Sequence, residues 1–163
     1  MATPTTLPAS FTAGQVLTAS QMNNLRGAFR ILQSLFTSTG SSTSNATATY
    51  VTSGLALTIT PTSATSKIKI QANMQMYNDT ASGEIGLRIV KTIGATTTTV
   101  VTNTQSRAGA SLVSQMPFIW VDEPATTSAV TYTIQFARTN GAGTITAQIS
   151  AQSSVLILEE ISA

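Results

Sequence analysis

Polar and apolar residues follow two different periods along this chain. Between residues 19 and 36, Met22, Leu25, Phe29, Leu32 and Phe36 recur at alternating three- and four-residue steps, the a/d seam of a helix. Thr18 is a good N-cap with Gln21 three residues on, and Leu17 can staple onto Met22. Together these signals predict one α-helix over residues 19–36. Gly27 weakens it by about 1 kcal/mol relative to alanine. Isolated short helices are marginal, so such a seam cannot hold chains together alone. It serves either an amphipathic helix packed on its own domain or a short bundle around an oligomer axis. The lead-in before it, broken by Pro4, Pro8 and Gly14, favours the bundle.

Residues 37–46 are small and polar, with nothing to bury, and are expected to form a linker. From Thr47 the period becomes two. Leu55, Leu57 and Ile59 alternate with Ala56, Thr58 and Thr60, and Pro61 ends that strand. The cleanest alternation follows: Ile68, Ile70, Ala72, Met74 and Met76 share one face, and Lys67, Lys69, Gln71, Asn73 and Gln75 share the other. Ile85, Leu87 and Ile89 form a return strand after the turn at residues 77–83, and Thr96 to Thr102 supplies β-branched residues for another. Residues 103–109 read as a looser stretch. In the next strand, residues 112–121, Pro117 marks an edge or a bulge. Val130, Tyr132, Ile134 and Phe136 alternate up to a glycine-rich turn at residues 139–143, and Ile145, Ala147 and Ile149 follow it. Val155 to Leu158 is apolar at every position, which suits a strand covered on both faces, inside a sandwich or at a subunit contact. The expected fold is therefore mainly β: an antiparallel β-sandwich or jelly roll over residues 47–163, preceded by an extended segment and one helix over residues 1–36.

Composition adds one constraint. Only 9% of residues are charged, against roughly 25% in an ordinary soluble protein, while 42% are hydrophobic. A surface so poor in charge is sticky for a monomer and suits an assembly. The net charge is +2, and the eight basic residues are scattered rather than gathered into the stripe that nucleic-acid binding requires. No stretch reaches about 18 apolar residues, so no membrane insertion is expected. The first residues lack the basic and apolar regions of a signal peptide.

Candidate chemistry is sparse. Histidine and cysteine are absent, which removes the commonest general base and the Cys/His zinc sites. Asp122-Glu123 and Glu159-Glu160 are adjacent carboxylates, and neighbours on a strand point to opposite faces, so neither pair converges within one strand. Asp122 reads as a loop residue and Glu159-Glu160 as the surface end of a strand. A site assembled across subunits from Asp79, Glu84 or Asp122 has no positive signal, and Asn78-Asp79 lacks the acid density of a calcium loop. Trp120 and Tyr132 read as core or interface, and Tyr77 is the more exposed aromatic candidate. No catalytic residue, metal site or cofactor is expected, and the chain is read as a non-enzyme.

The run from Phe11 to Leu25, Phe-Thr-Ala-Gly-Gln-Val-Leu-Thr-Ala-Ser-Gln-Met-Asn-Asn-Leu, resembles a segment near the start of many bacteriophage virion proteins, especially tail-fibre and related appendage proteins. Residues 154–161, Ser-Val-Leu-Ile-Leu-Glu-Glu-Ile, resemble the closing strand of small phage domains of the tumour-necrosis-factor-like jelly-roll type. The resemblance covers the two ends of the chain. It implies a homotrimer in the virion, with Phe11, Val16 and Leu17 in attachment to other virion proteins and Met22, Leu25, Phe29, Leu32 and Phe36 in oligomerisation. It also implies a jelly roll that projects outward, with a host surface glycan or protein as its partner. The leading expectation is a tail-fibre or receptor-binding protein acting by adhesion. The chain lacks a long shaft and repeats, which keeps capsid decoration (cement or head fibre) as the alternative.

Overall fold

The computed structural model describes residues 14, 16, 30–80, 83–106 and 112–162. Among these lie ten strands and one short 3-10 turn. The strands are β1 (Ile31–Thr39), β2 (Thr43–Asn45), β3 (Val51–Ile59), β4 (Lys67–Asn78), β5 (Glu84–Ile93), β6 (Thr96–Ser106), β7 (Leu112–Asp122), β8 (Val130–Asn140), β9 (Ile145–Ala147) and β10 (Ser154–Ile161). Every pairing is antiparallel.

Two sheets form. In the larger, β4 pairs along its whole length with β7 on one edge. Its other edge is shared by β10, with β1 outside it, and by β9, with β2 outside it. The smaller sheet runs β3-β8-β5-β6. The connections β3–β4, β4–β5, β6–β7 and β7–β8 each cross between sheets, which is jelly-roll wiring.

The alternation read from the sequence decides which side of each strand is dry. All five apolar residues of the Ile68–Met76 series are buried, and they face Leu55 and Ile59 of β3, Ile85 and Ile89 of β5, and Tyr132, Ile134 and Phe136 of β8. Leu156 and Leu158 of β10 complete the core, while Val155 and Ile157 stand half-buried on the outer side. The continuous apolar run is therefore one core face and one outer face, not a strand sealed on both sides. Ile93 pairs with Thr96, so β5 and β6 are joined by Gly94-Ala95, and Gly94 takes the positive φ (59°) that such a two-residue hairpin needs. Gly86 leaves room for the Tyr50 ring, over which the Arg88 guanidinium sits 4.2 Å from the centroid.

Several expectations are corrected here. The described part of the expected helix, including Leu32 and Phe36, is strand β1, not helix. Its residues carry both periods: Leu32 and Phe36 are four apart, but Gln33, Leu35 and Thr37 also alternate inward with Ser34, Phe36 and Ser38 outward. Registered pairing with β10, from Ile31↔Ile161 to Thr39↔Ser154, offers backbone hydrogen bonds that a lone helix end cannot match. Residues 37–46, expected as a linker, contain the end of β1 and all of β2, so they belong to the sandwich. The looser stretch after Thr102 continues β6 to Ser106, and Ile149 begins the 3-10 turn rather than ending β9. Met22, Leu25 and Phe29 lie outside the described residues.

Two substitutions on one strand test this division of faces. Leu158→Ala should cost about 2–5 kcal/mol of unfolding free energy, the range for truncating a buried leucine. Ile157→Ala, on the outer face, should cost under about 1 kcal/mol in the isolated fold. Denaturant midpoints at an unchanged slope read both values.

Candidate interaction surface

The ionisable residues hold the sandwich together. Lys91 of β5 donates to both Asp122 oxygens of β7, at 3.0 and 2.9 Å, and the Tyr132 hydroxyl of β8 donates to Asp122 Oδ2 at 2.8 Å. This cluster bolts the smaller sheet to the end of β7. Burial pushes the Tyr132 phenol well up, and its hydrogen bond to Asp122 and the charge there push the same way. Asp122, expected in a solvated loop, is thus an inter-sheet tie. Its neighbour Glu123 turns away to Lys67 at 2.8 Å, and that partner lowers its pKa.

Glu160 is fully buried, against the expectation of a surface strand end. Gln33 Nε2 of β1 donates to Oε2 at 2.6 Å and also to the Thr60 carbonyl at 2.8 Å. The Thr62 backbone N–H and hydroxyl donate to Oε1, both at 2.7 Å. Burial works to raise the Glu160 pKa, but the hydrogen bonds from Gln33 and Thr62 outweigh it and hold the carboxyl below its ordinary value. Glu159 points outward to Lys69 at 3.0 Å and Gln71 at 3.3 Å. Both adjacent acid pairs therefore diverge, and their oxygens are engaged in structure. Asp79 caps a turn, accepting from the Thr144 N–H at 2.7 Å. Among the described residues no three metal-ligating side chains cluster, and no helix is long and apolar enough to cross a membrane.

Several large apolar side chains are exposed. On the outer face of the larger sheet the register aligns Phe36 with Ile157, Ile157 with Gln71 and Gln71 with Ile119. Phe36 is 76% exposed, Ile119 60% and Ile31 55%. They stand among Gln71 and the Lys69–Glu159 pair, and exposed apolar side chains gathered on one face are a candidate interaction surface. The two outer faces differ sharply. On the smaller sheet, Thr58, Thr131, Thr92 and Thr97 stand in one cross-strand row, with hydroxyl contacts of 2.8 Å (Thr58–Thr131) and 2.9 Å (Thr92–Thr97). That face is suited to water.

Strands β6 and β7 end the two sheets side by side and leave a groove of about 470 Å³ between them. Val101 and Asn103 line it from β6, and Pro117, Phe118 and Trp120 from β7. Pro117 was expected at an edge or a bulge, and β7 pairs with β4 alone, which makes it an edge among the described strands. Trp120 is 44% exposed in this groove, so it is not a core residue. Tyr132 is core, and Tyr77, expected to be the more exposed aromatic, is only half-buried at the end of β4. Of the expected site residues, Leu32 and Phe36 are exposed on edge strand β1 and Val16 is exposed. Phe11 and Leu17 lie outside the described residues. The groove was missed as a unit because β6 and β7 meet only in the folded chain. Pro117 and Trp120 were its visible signals.

The fold is a jelly-roll-like β-sandwich whose smaller sheet shows threonines outward and whose larger sheet shows exposed apolar side chains beside Gln71, Lys69 and Glu159. No protein-family model matches the chain, and no curated protein matches it. Among solved structures, the chain is similar to one of the Gx strain of infectious bursal disease virus, at 15% identity and a TM-score of 0.43 over 80% of this chain and 38% of that one. It is also similar to a mutant VP2 protein of the same virus in derived T=1 particles, at 14% identity and a TM-score of 0.44 over 79% and 36%. The chain thus spans little more than a third of the length of these structures. Likeness this distant does not carry function across.

Glu160 gives a pH prediction. Its folded pKa is depressed, so its contribution is complete above the unfolded value of about 4.3 and is lost as pH falls through the folded value. Glu160→Gln should leave a Thr62 donor facing an amide, cost about 1–3 kcal/mol at neutral pH, and flatten the stability profile below pH ~4.3. Urea midpoints across that range check both parts.

Proposed function

We propose that this chain is a structural component of a bacteriophage virion, working as a homotrimer and acting by adhesion without catalysis. The observation that carries the reading is an exposed apolar surface on a sandwich whose acid pairs are spent on holding the fold. Such a surface is a liability for a monomer and an asset for an assembly. The N-terminal run from Phe11 to Leu25, with its resemblance to phage tail-fibre segments, supports the particular setting.

The fold supports a direction for attachment. The Arg30 N–H donates to the Ser162 hydroxyl at 3.0 Å, and the Ser162 N–H donates to the Arg30 carbonyl at 2.9 Å. The strand entered from residues 1–29 and the strand that closes the fold therefore meet at one end of the larger sheet. The β4–β5 and β8–β9 turns lie at the opposite end, tied together by Thr80 donating to the Ala142 carbonyl at 2.6 Å and by Asp79 with Thr144. With residues 1–29 seated in the particle, those turns project outward. The leading role is a tail fibre or receptor-binding appendage that contacts a host surface glycan or protein. Capsid decoration is the second reading, which needs only the exposed apolar side chains and a seated N-terminal segment.

The purified full chain should bind host cells, and removal of residues 1–29 should abolish its incorporation into particles while leaving cell binding intact. Pelleting assays with cells and with particles read both. A chain that never binds cells but raises the melting temperature of shells, through preferential binding to the assembled state, would replace the appendage role with decoration.

A further inference from the structure

We propose that Arg88, on the outer face of the smaller sheet, binds the carboxylate of an acidic sugar. This rests on the adhesion reading above and names the chemistry of its glycan partner. Arg88 and Gly86 point to the same side of β5, since Leu87 between them is buried in the core. A glycine inside a strand marks a place where another group approaches closely. Here that group is Tyr50: a Cβ at Gly86 would lie 2.6 Å from the Tyr50 hydroxyl. The ring so seated carries the Arg88 guanidinium 4.2 Å from its centroid, and Arg88 Nε donates to Gln135 Oε1 on β8 at 2.7 Å. Ring and amide together restrain the guanidinium. Its Nη1 and Nη2 atoms donate to no partner among the described residues.

The other cations are used differently. Lys67, Lys69 and Lys91 are each paired with a carboxylate, and Arg138 donates Nη1 to the Gly143 carbonyl. Arg88 has no carboxylate partner among the described residues, which include all six acids of the chain. A guanidinium is always charged, and its planar fork matches a carboxylate in two parallel hydrogen bonds. The surroundings are neutral and polar. Register places Thr52, Gln135, Arg88 and Thr102 in one row across β3, β8, β5 and β6, with both threonines exposed. Hydroxyls and an amide around one restrained cation suit a ligand with many hydroxyls and a single negative charge. An acidic sugar has that chemistry, whereas the nearly double charge of a phosphate monoester would leave charge unmatched in a row with one cation. Arg88 stands four residues into β5 from the β4–β5 turn, on the flank of the end that the proposed attachment turns outward.

Titration calorimetry of the full chain with oligosaccharides of glucuronic, galacturonic and mannuronic acid tests the site, with their methyl esters as controls. At least one acid should bind, and that binding should be lost in its ester and weakened by added salt. Arg88→Lys keeps the cation but not the fork, and should weaken binding at least about tenfold at an unchanged melting temperature. A role confined to holding Tyr50 would leave that affinity unmoved and overturn the site. No binding of any of the three acids, or equal affinity for acid and ester, also overturns it. A phosphosugar that binds where no uronate does overturns the carboxylate assignment. Host-cell binding separates this site from the adhesion reading. Cell binding unaltered in Arg88→Gln overturns the site and leaves adhesion standing, whereas a full chain that binds an acid but no cells overturns adhesion and leaves the site.

Discussion

The sandwich closes only where β10 settles between β1 and β4. That strand is the last of the described strands, and its outer partner is the first, so the larger sheet depends on a pairing between segments far apart in the sequence. Leu156 and Leu158 anchor it by burial, and Glu160 anchors it by hydrogen bonds to Gln33 on β1 and to Thr62 on the β3–β4 connection. An ion this deep is tolerated because three donors engage it, and removing one partner costs more than the bond itself.

That closure decides what the surface can do. With β1 held as an edge, Phe36 is turned outward and residues 1–29 enter beside the chain's last strand. At the other margin, the Lys91–Asp122–Tyr132 cluster fixes the end of β7 to the smaller sheet, and the groove opens alongside it. The few charges are thus concentrated in ties at strand ends. The smaller sheet meets water through threonine hydroxyls, and the larger sheet shows apolar side chains.

Much of this was legible in the sequence because burial on one face imposes a period of two. The Ile68–Met76 series and the Val130–Phe136 series each lie where alternation put them, and Pro117 identified its own edge. The segment 31–39 was not legible. Its Leu32 and Phe36 satisfy helical spacing as well as a strand, and only the partner β10 breaks the tie. Asp122 and Glu160 were misplaced for a related reason. A carboxylate reads as surface until its donors are known, and those of Asp122 and Glu160 come from Lys91 and Gln33 on other strands. The interaction surface was half legible: Trp120 was open between core and interface, while Val101 and Asn103 gave no local signal.

The central claim is that this chain belongs on a particle, held there as an oligomer. Gold-labelled antibody against the sandwich, applied to intact phage particles and viewed by electron microscopy, tests it most directly. Label at the tail is the predicted result, and label over the capsid would move the chain to the decoration role within the same virion setting. Particles that carry no label, with the protein confined to the unassembled fraction, would contradict the claim.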